Sequence, residues 1–434
     1  MKNNTIEQKW KFILFSLFSL IFINISRAQD IPEGIDFSKN QVFKDNIQTV
    51  LLHPKGFDLA EPIIELNAGQ LRLAFDDFSN DVKNYRYTIV HCDHKWNQSQ
   101  INSFEYLQGF EENDIQNYKF SRNTSYEYIH YEALFPNRDI QITKTGNYAL
   151  LVYDETLNKN NLIFLWQFSI YQNKIKFDVQ LGQSRLSAYR KTHQELKVNI
   201  YTQNVNIDVP ERSIFMVVQQ NNRQDNIIKG LQPRLFLDNI IYYDRDNEIL
   251  FQGGNESREF DLRSLTNASG RTKRIVFDNN TGYHVYLWED KSRNHRPYLN
   301  DNLLNGRKSI ATEQRFEANY EGDYAWVHFF IPWKVPLPES KVYIIGGVND
   351  WNLDYKSEMF YDFKRKGYAD SLFVKQGYYN YLYGVVEKGK KKADIEFFEG
   401  SHFETKNDYK ILIYYRQPGT IYDQLIGYEY LETP

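Results

Sequence analysis

Cysteine is all but absent. Cys92 is the one thiol in 434 residues, so no intramolecular disulfide can form and the cores must hold by packing alone. A basic surplus is missing too: 52 Lys and Arg stand against 56 Asp and Glu, a net charge of −4. That balance cannot neutralise a phosphate backbone, so no nucleic acid partner is expected. Past residue 28 no apolar run reaches the ~20 residues a spanning helix needs, so no direct bilayer insertion is expected. The 3.6-residue apolar period of an amphipathic helix is nearly absent. Catalytic signatures are lacking as well: there is no G-x-S-x-G elbow, H-E-x-x-H, Walker-type loop or G-x-G-x-x-G. "THQEL" (Thr192–Leu196) lacks the second histidine of a zinc helix. "DRDNEILFQGGN" (Asp244–Asn255) opens like an EF-hand loop, but Ile249 stands where glycine is needed and Asn255 where the last glutamate belongs. Asp76–Asp77 and Glu111–Glu112 are adjacent carboxylates, which diverge on a strand or turn. No catalytic, metal or cofactor-binding residue is assigned, no cofactor is expected, and the chain reads as a non-enzyme.

Aromatics are plentiful, with 33 Tyr, 30 Phe and 7 Trp, and they suit pleated, half-buried surfaces. Apolar residues recur on alternate positions in short runs such as "YRYTIVH", "NYALLVYD", "LIFLWQFSIY" and "KILIYYR". Turn residues separate them, as in "DDFSND", "KTGN" and "DNNTG". Many short strands so spaced predict an all-β chain of tandem immunoglobulin-like or early-set β-sandwiches. Lys9 and Lys11, an apolar stretch over 12–25 and the small residues Ser26 and Ala28 predict a signal peptide over 1–28. The expected domains are an N-terminal sandwich over 29–173, a second over 174–298, a polar connector over 299–314 and an early-set-like sandwich over 315–434. The lysine-rich "EKGKKKADIE" (Glu387–Glu396) reads as a solvated hairpin loop.

"VHCDHKW" (Val90–Trp96) raises the question of chemistry, because it sets the lone thiol between two histidines. On an extended strand Tyr85, Tyr87, Ile89 and His91 share one face, and Val90, Cys92 and His94 the other. His91 and Cys92 therefore diverge. At most two ligands share a face, where zinc needs about four converging groups. Cys92 is expected to be a buried structural residue.

"VYIIGGVNDWNLDYKSEMFYD" (Val342–Asp362) followed by "GYYNYLYGVV" is similar to the early-set glycan-binding modules. Trp351 is the one glycan-stacking candidate, although Val348 replaces the phenylalanine usual in that motif and the same ring can simply cap the sandwich. A secreted glycan-binding protein is the alternative reading this motif offers.

The stretch Asp45–Phe110, with "LLHPKGFDLAEPIIELNAGQLRLAFDDF" and "IVHCDHKW", resembles the opening of a domain-of-unknown-function family linked with the plug protein of the type IX secretion system. "YEALFPNRDIQITKTGNYALLVY", "LGQSRLSAYRKTHQELKVNIYTQN" and "FFEGSHFETKNDYKILIYYRQPGTIYDQLIGYEYL" extend the resemblance over nearly the whole chain, in the family's order. The resemblance implies β-sandwich domains in the periplasm, at the inner face of the outer membrane. It also implies association with an outer-membrane β-barrel translocon, whose periplasmic opening the plug blocks when no substrate is passing; the isolated protein is expected to be a soluble monomer. It identifies no contact residues.

Overall fold

A computed structural model of the chain describes residues 31–300, 304–313 and 317–433. The expected signal peptide and part of the connector lie outside them. The protein is all-β, and its described helices are single turns of four residues such as Ser103–Tyr106.

The alternation read in the sequence sets the layers. In the first unit Leu162–Tyr171, Gly146–Asp154 and Tyr85–Cys92 pair antiparallel at the centre of one sheet. A four-stranded sheet of Ile47–Pro54, Leu71–Asp77, Ile129–Phe135 and Asn117–Phe120 covers it. Tyr85, Tyr87 and Ile89 enter the core between these sheets. Val90 and Cys92 point to the opposite face, into a smaller cluster with Phe37, Ala149 and Leu165. Gly146–Asp154 is therefore apolar on both faces because both are covered.

The second unit corrects the expected domain boundaries. Lys176–Gln183 and His193–Tyr201 head one sheet, and Ile214–Gln220 belongs to the facing one. Ile214–Gln220 takes its neighbour from the far end of the chain: it pairs in register with Asp408–Tyr415, which pairs with Gln424–Glu432. Ile411, Ile413 and Ile426 share a core with Leu196, Val198 and Met216. The C-terminal hairpin closes the second sandwich, so the expected third unit over 315–434 loses its last two strands. Ile214–Gln220 would otherwise expose an apolar face and an unpaired edge.

The third unit lies between these halves. Its nine-stranded sheet runs from Arg258–Asp261 through Gly377–Glu387, Ser340–Ile345, Glu358–Asp362, Gly367–Lys375, Tyr324–Pro332 and Gly282–Leu287 to Thr272–Asp278. Phe329 meets Tyr381 at 5.1 Å between ring centres, although their strands are far apart in the sheet order. The sheet therefore folds over itself around one core. The expected connector is a strap. Lys308–Ile310 pairs with Gly377–Glu387, and Gly306 lies against the Trp351 ring, where a Cβ would come within 2.3 Å.

Candidate functional site: the junctions between the three units

The strand Tyr85–Cys92 ends at Cys92, and Asp93–Asn97 turns back. The Asp93 carboxylate accepts the backbone N–H groups of Lys95 and Asn97 at 2.8 and 2.9 Å. This turn projects His94 towards the C-terminal hairpin. Its backbone N–H and ring Nδ1 reach Asp423 Oδ2 at 2.9 and 2.7 Å. Its ring stacks on Phe215 with 4.0 Å between centres. Arg416 Nε donates to the other Asp423 oxygen at 2.7 Å. Burial opposes ionisation of Asp423, but the bonds from His94 and Arg416 outweigh it and hold its pKa at about 2. Nearby, the Tyr414 hydroxyl donates to Asn147 Oδ1 at 2.8 Å, and Asn147 Nδ2 donates to the Asp93 carbonyl at 3.1 Å. "VHCDHKW" thus ties the first unit to the second.

Asp93, His94 and Asp423 place three potential metal-ligand atoms within 4.8 Å of one another. Both Asp423 oxygens are already engaged, one by a guanidinium, and Asp93 is bound to its own turn. A cation there would face Arg416, which makes the cluster a latch better than a metal site. The Cys92 side chain is fully buried, and burial, followed by the Asp93 charge, pushes its thiol pKa up. It is unsuited to act as a thiolate nucleophile. His91 faces the main core, with Ser99 Oγ 2.8 Å from Nδ1 and the Thr145 carbonyl 3.3 Å from Nε2. Burial lowers its pKa to about 4.

The first and third units meet at a buried ion cluster. Asp76 and His130 are cross-strand neighbours in the first unit, as Tyr324 and Lys375 are in the third. Asp76 accepts Lys375 Nζ at 2.6 Å, the Tyr324 hydroxyl at 2.6 Å and His130 Nδ1 at 2.7 Å. Burial works against the carboxylate, but the Lys375 charge and His130 outweigh it and keep the pKa of Asp76 low. The Tyr128 hydroxyl donates to the Gly322 carbonyl at 2.7 Å, and Lys375 lies over the Tyr128 ring. Ser125 donates twice to the Asp323 carboxylate. Alongside runs a cleft of about 810 Å³, walled by Trp166, Trp326, Tyr355 and Tyr379. Lys308 and Lys356 on its rim are paired with Asp350 and Asp45.

The second and third units meet through the strap and the Trp351 loop. Arg307 pairs with Asp408 and donates to the Tyr430 hydroxyl at 2.7 Å. Arg223 binds Asp225 and the Ala393 carbonyl. Trp351 is only 7% exposed. It packs among Tyr343, Ile345, Leu382 and Ile395, with Gly306 on its ring and the Arg223 guanidinium 5.8 Å from it. A ring so covered offers no open face to a sugar, and it packs as a cap on the sandwich rather than as the glycan-stacking candidate of the alternative reading.

The adjacent carboxylates diverge as expected. Asp77 turns away from Asp76 to accept Ser79 and Tyr85, and Glu112 pairs with Arg86 while Glu111 accepts Ser103. In the EF-hand-like stretch Asp244 and Asp246 are paired with Arg234 and Lys197. Sequence reasoning missed the cluster inside the third unit. There Arg258 bridges Asp290 and Glu399, and Tyr381 and Tyr383 both donate to Asp290 at 2.7 Å. Arginine on an inward strand position was the available signal.

The fold and its junctions define a class: an all-β protein of several sandwiches, whose buried charges are spent on joining and bracing its own units. Residues 47–172, which coincide with the strands of the first unit from Ile47 to Tyr171, match the type 9 secretion system plug protein 1st domain, so the first unit is a domain of that family. The crystal structure of a hypothetical protein from Parabacteroides merdae is similar over 92% of this chain and all of its own, at 32% identity and a TM-score of 0.88. No curated protein matches the chain.

Proposed function

We propose that the chain is a non-enzymatic periplasmic subunit that binds the outer-membrane translocon barrel of type IX secretion and covers its periplasmic opening while no substrate passes. The observation that carries this reading is the match of the first unit to the type 9 secretion system plug protein 1st domain. The junctions support it. A cover needs a broad, preformed surface, and three units tied through buried charges lose little ordering entropy on docking. The outer strand Asn117–Phe120 is exposed along its length and presents Tyr118 and Phe120 beside an open edge. Aromatic anchors within a polar rim suit an interface that must also release.

The test is affinity capture of the tagged chain from detergent-solubilised outer membranes. The expected result is co-purification with the translocon barrel when substrate is absent, and depletion when substrate is trapped in the channel. Capture without any outer-membrane barrel removes this reading.

A further inference from the structure

One end of the third unit combines exposed apolar tips with exposed lysines. The strand pairing brings two turns together there. Tyr324–Pro332 and Gly367–Lys375 run antiparallel with Pro332 opposite Gly367. The turns over 333–339 and 363–366 therefore lie side by side, and the Trp333 N–H donates to the Lys366 carbonyl at 3.0 Å. The Asp76–Lys375 junction sits at the other end of the same strands, so these turns point away from the first unit.

Both turns are held from beneath and present apolar tips. Trp333 packs on Phe397 and Phe398, and the Leu337 N–H donates to the Tyr368 hydroxyl at 2.7 Å. That leaves Lys334 and Val335 facing out, with Val335 67% exposed in a segment stiffened by Pro336 and Pro338. In the second turn Asp362 Oδ1 accepts the N–H groups of Lys364 and Arg365, both at 2.9 Å, and Phe363 projects with 76% exposure.

Charge surrounds these tips. Lys334, Lys364 and Lys366 have no ion-pair partner among the described residues, whereas Arg365 pairs with Glu289 at 4.0 Å and lies over the Phe330 ring. Of the nearby acids, Asp362 caps its own turn, Glu339 pairs with Lys388 and Glu289 lies against Arg365, so cations outnumber them at this end. A cationic, apolar-tipped end thus projects from a chain whose net charge is −4.

We propose that this end docks on an anionic phospholipid surface, with Phe363 and Val335 entering the headgroup layer and Lys334, Lys364 and Lys366 meeting lipid phosphates. Charge complementarity selects the lipid. All three unpaired cations are lysine, which protein interfaces deplete, whereas lysines around protruding apolar residues suit an interfacial membrane contact. The contact is made by exposed turns, and no described helix is long and apolar enough to cross a membrane. The inference stands apart from the barrel partner and goes beyond it, by giving the molecule a second contact with the membrane plane.

The test is co-sedimentation of the full chain with vesicles of phosphatidylglycerol and phosphatidylcholine, against vesicles of phosphatidylcholine alone. Binding is expected only with phosphatidylglycerol and should weaken as salt rises. Each cation at such a surface is worth about fivefold in affinity, so K364E/K366E should lose at least tenfold. Phe363→Ala should weaken binding while keeping its salt dependence. All three residues are exposed, so an unchanged melting temperature controls for folding. No binding to phosphatidylglycerol vesicles at low salt overturns the proposal, as does binding that K364E/K366E leaves unchanged. If vesicles are ignored and the same substitutions release the chain from captured translocon complexes, the surface is a protein contact instead. The vesicle result is independent of barrel capture, so either reading can fail alone.

Discussion

Asp76→Ala is the sharpest test of the junction between the first and third units. The substitution removes the acceptor of three donors at once: Lys375, Tyr324 and His130, all within 2.7 Å. Lys375 is left 1% exposed with no counter-charge at the same place. Removing one partner of a buried pair costs about 3–5 kcal/mol. There is a ceiling, because the stranded lysine can shed its proton: from a pKa of about 10.4, doing so at pH 7 costs roughly 4.6 kcal/mol. The expected loss is therefore about 3–4.5 kcal/mol. Lys375→Met in the same chain removes the orphaned charge and should return the variant to within about 2 kcal/mol of the parent, since apolar replacement of both partners is often near neutral. Calorimetry is the suitable assay, because a chain of several units need not melt in one step. The single variant should melt lower or split off a first-unit transition, and the double variant should restore one high transition. A loss below about 1 kcal/mol, or a double variant no better than the single, would refute the account of this cluster.

The folded pKa of His91 is lowered to about 4, so between pH 4 and 6.5 the unfolded chain binds the extra proton. Its contribution is complete above pH 6.5 and shrinks by up to about 3 kcal/mol as pH falls to 4; His91→Gln should flatten that part of the urea-midpoint profile, and an unflattened profile counts against the assignment. Asp423 acts lower: held at about 2, it contributes above the ordinary carboxylate pKa and loses about 2.5 kcal/mol as pH falls from near 4 to 2. Asp423→Asn should remove that loss. Cys92→Ala should cost about 1 kcal/mol and leave barrel capture intact; stoichiometric zinc in the purified protein, lost with this variant, would overturn the structural role. Trp351→Ala should cost about 3–5 kcal/mol by opening a cavity at the strap. The parent should not bind α-glucans, and binding abolished by this variant with the fold intact would reverse the reading of Trp351.

The all-β class was legible because period-two patterning is local. The faces of Tyr85–Cys92 were legible for the same reason: Tyr85, Tyr87 and Ile89 enter one core, and Val90 and Cys92 another. Alternation says which way a side chain points, not what covers it. The return of Asp408–Tyr415 to Ile214–Gln220 depends on a pairing across about 200 residues, and each of those strands looks equally able to pair with its sequence neighbours. Asp76 and Lys375 lie 299 positions apart. Each alone reads as a charge in or beside a strand, and only the assembled units show that one answers the other. Which of the two roles Trp351 takes was not legible either. The motif fixed its loop, but the strap at Gly306 buried its ring.

The same junctions constrain how a cover could let go. A hinge between the first and third units would have to separate Asp76 from Lys375 and strand a buried charge, at several kcal/mol. A hinge at the second unit would break His94–Asp423 and Arg307–Asp408 together. A substrate would have to prefer the opened form by that much to populate it. Surface competition needs no such expense, because exposed aromatic contacts separate into water one at a time. Release should therefore leave the three units as they are. Hydrogen exchange across Tyr324–Pro332 and Gly367–Lys375 should be equally slow in the free chain and in the chain bound to the barrel. Protection that collapses on release would show that a junction opens, and the rigid-cover argument would fall with it.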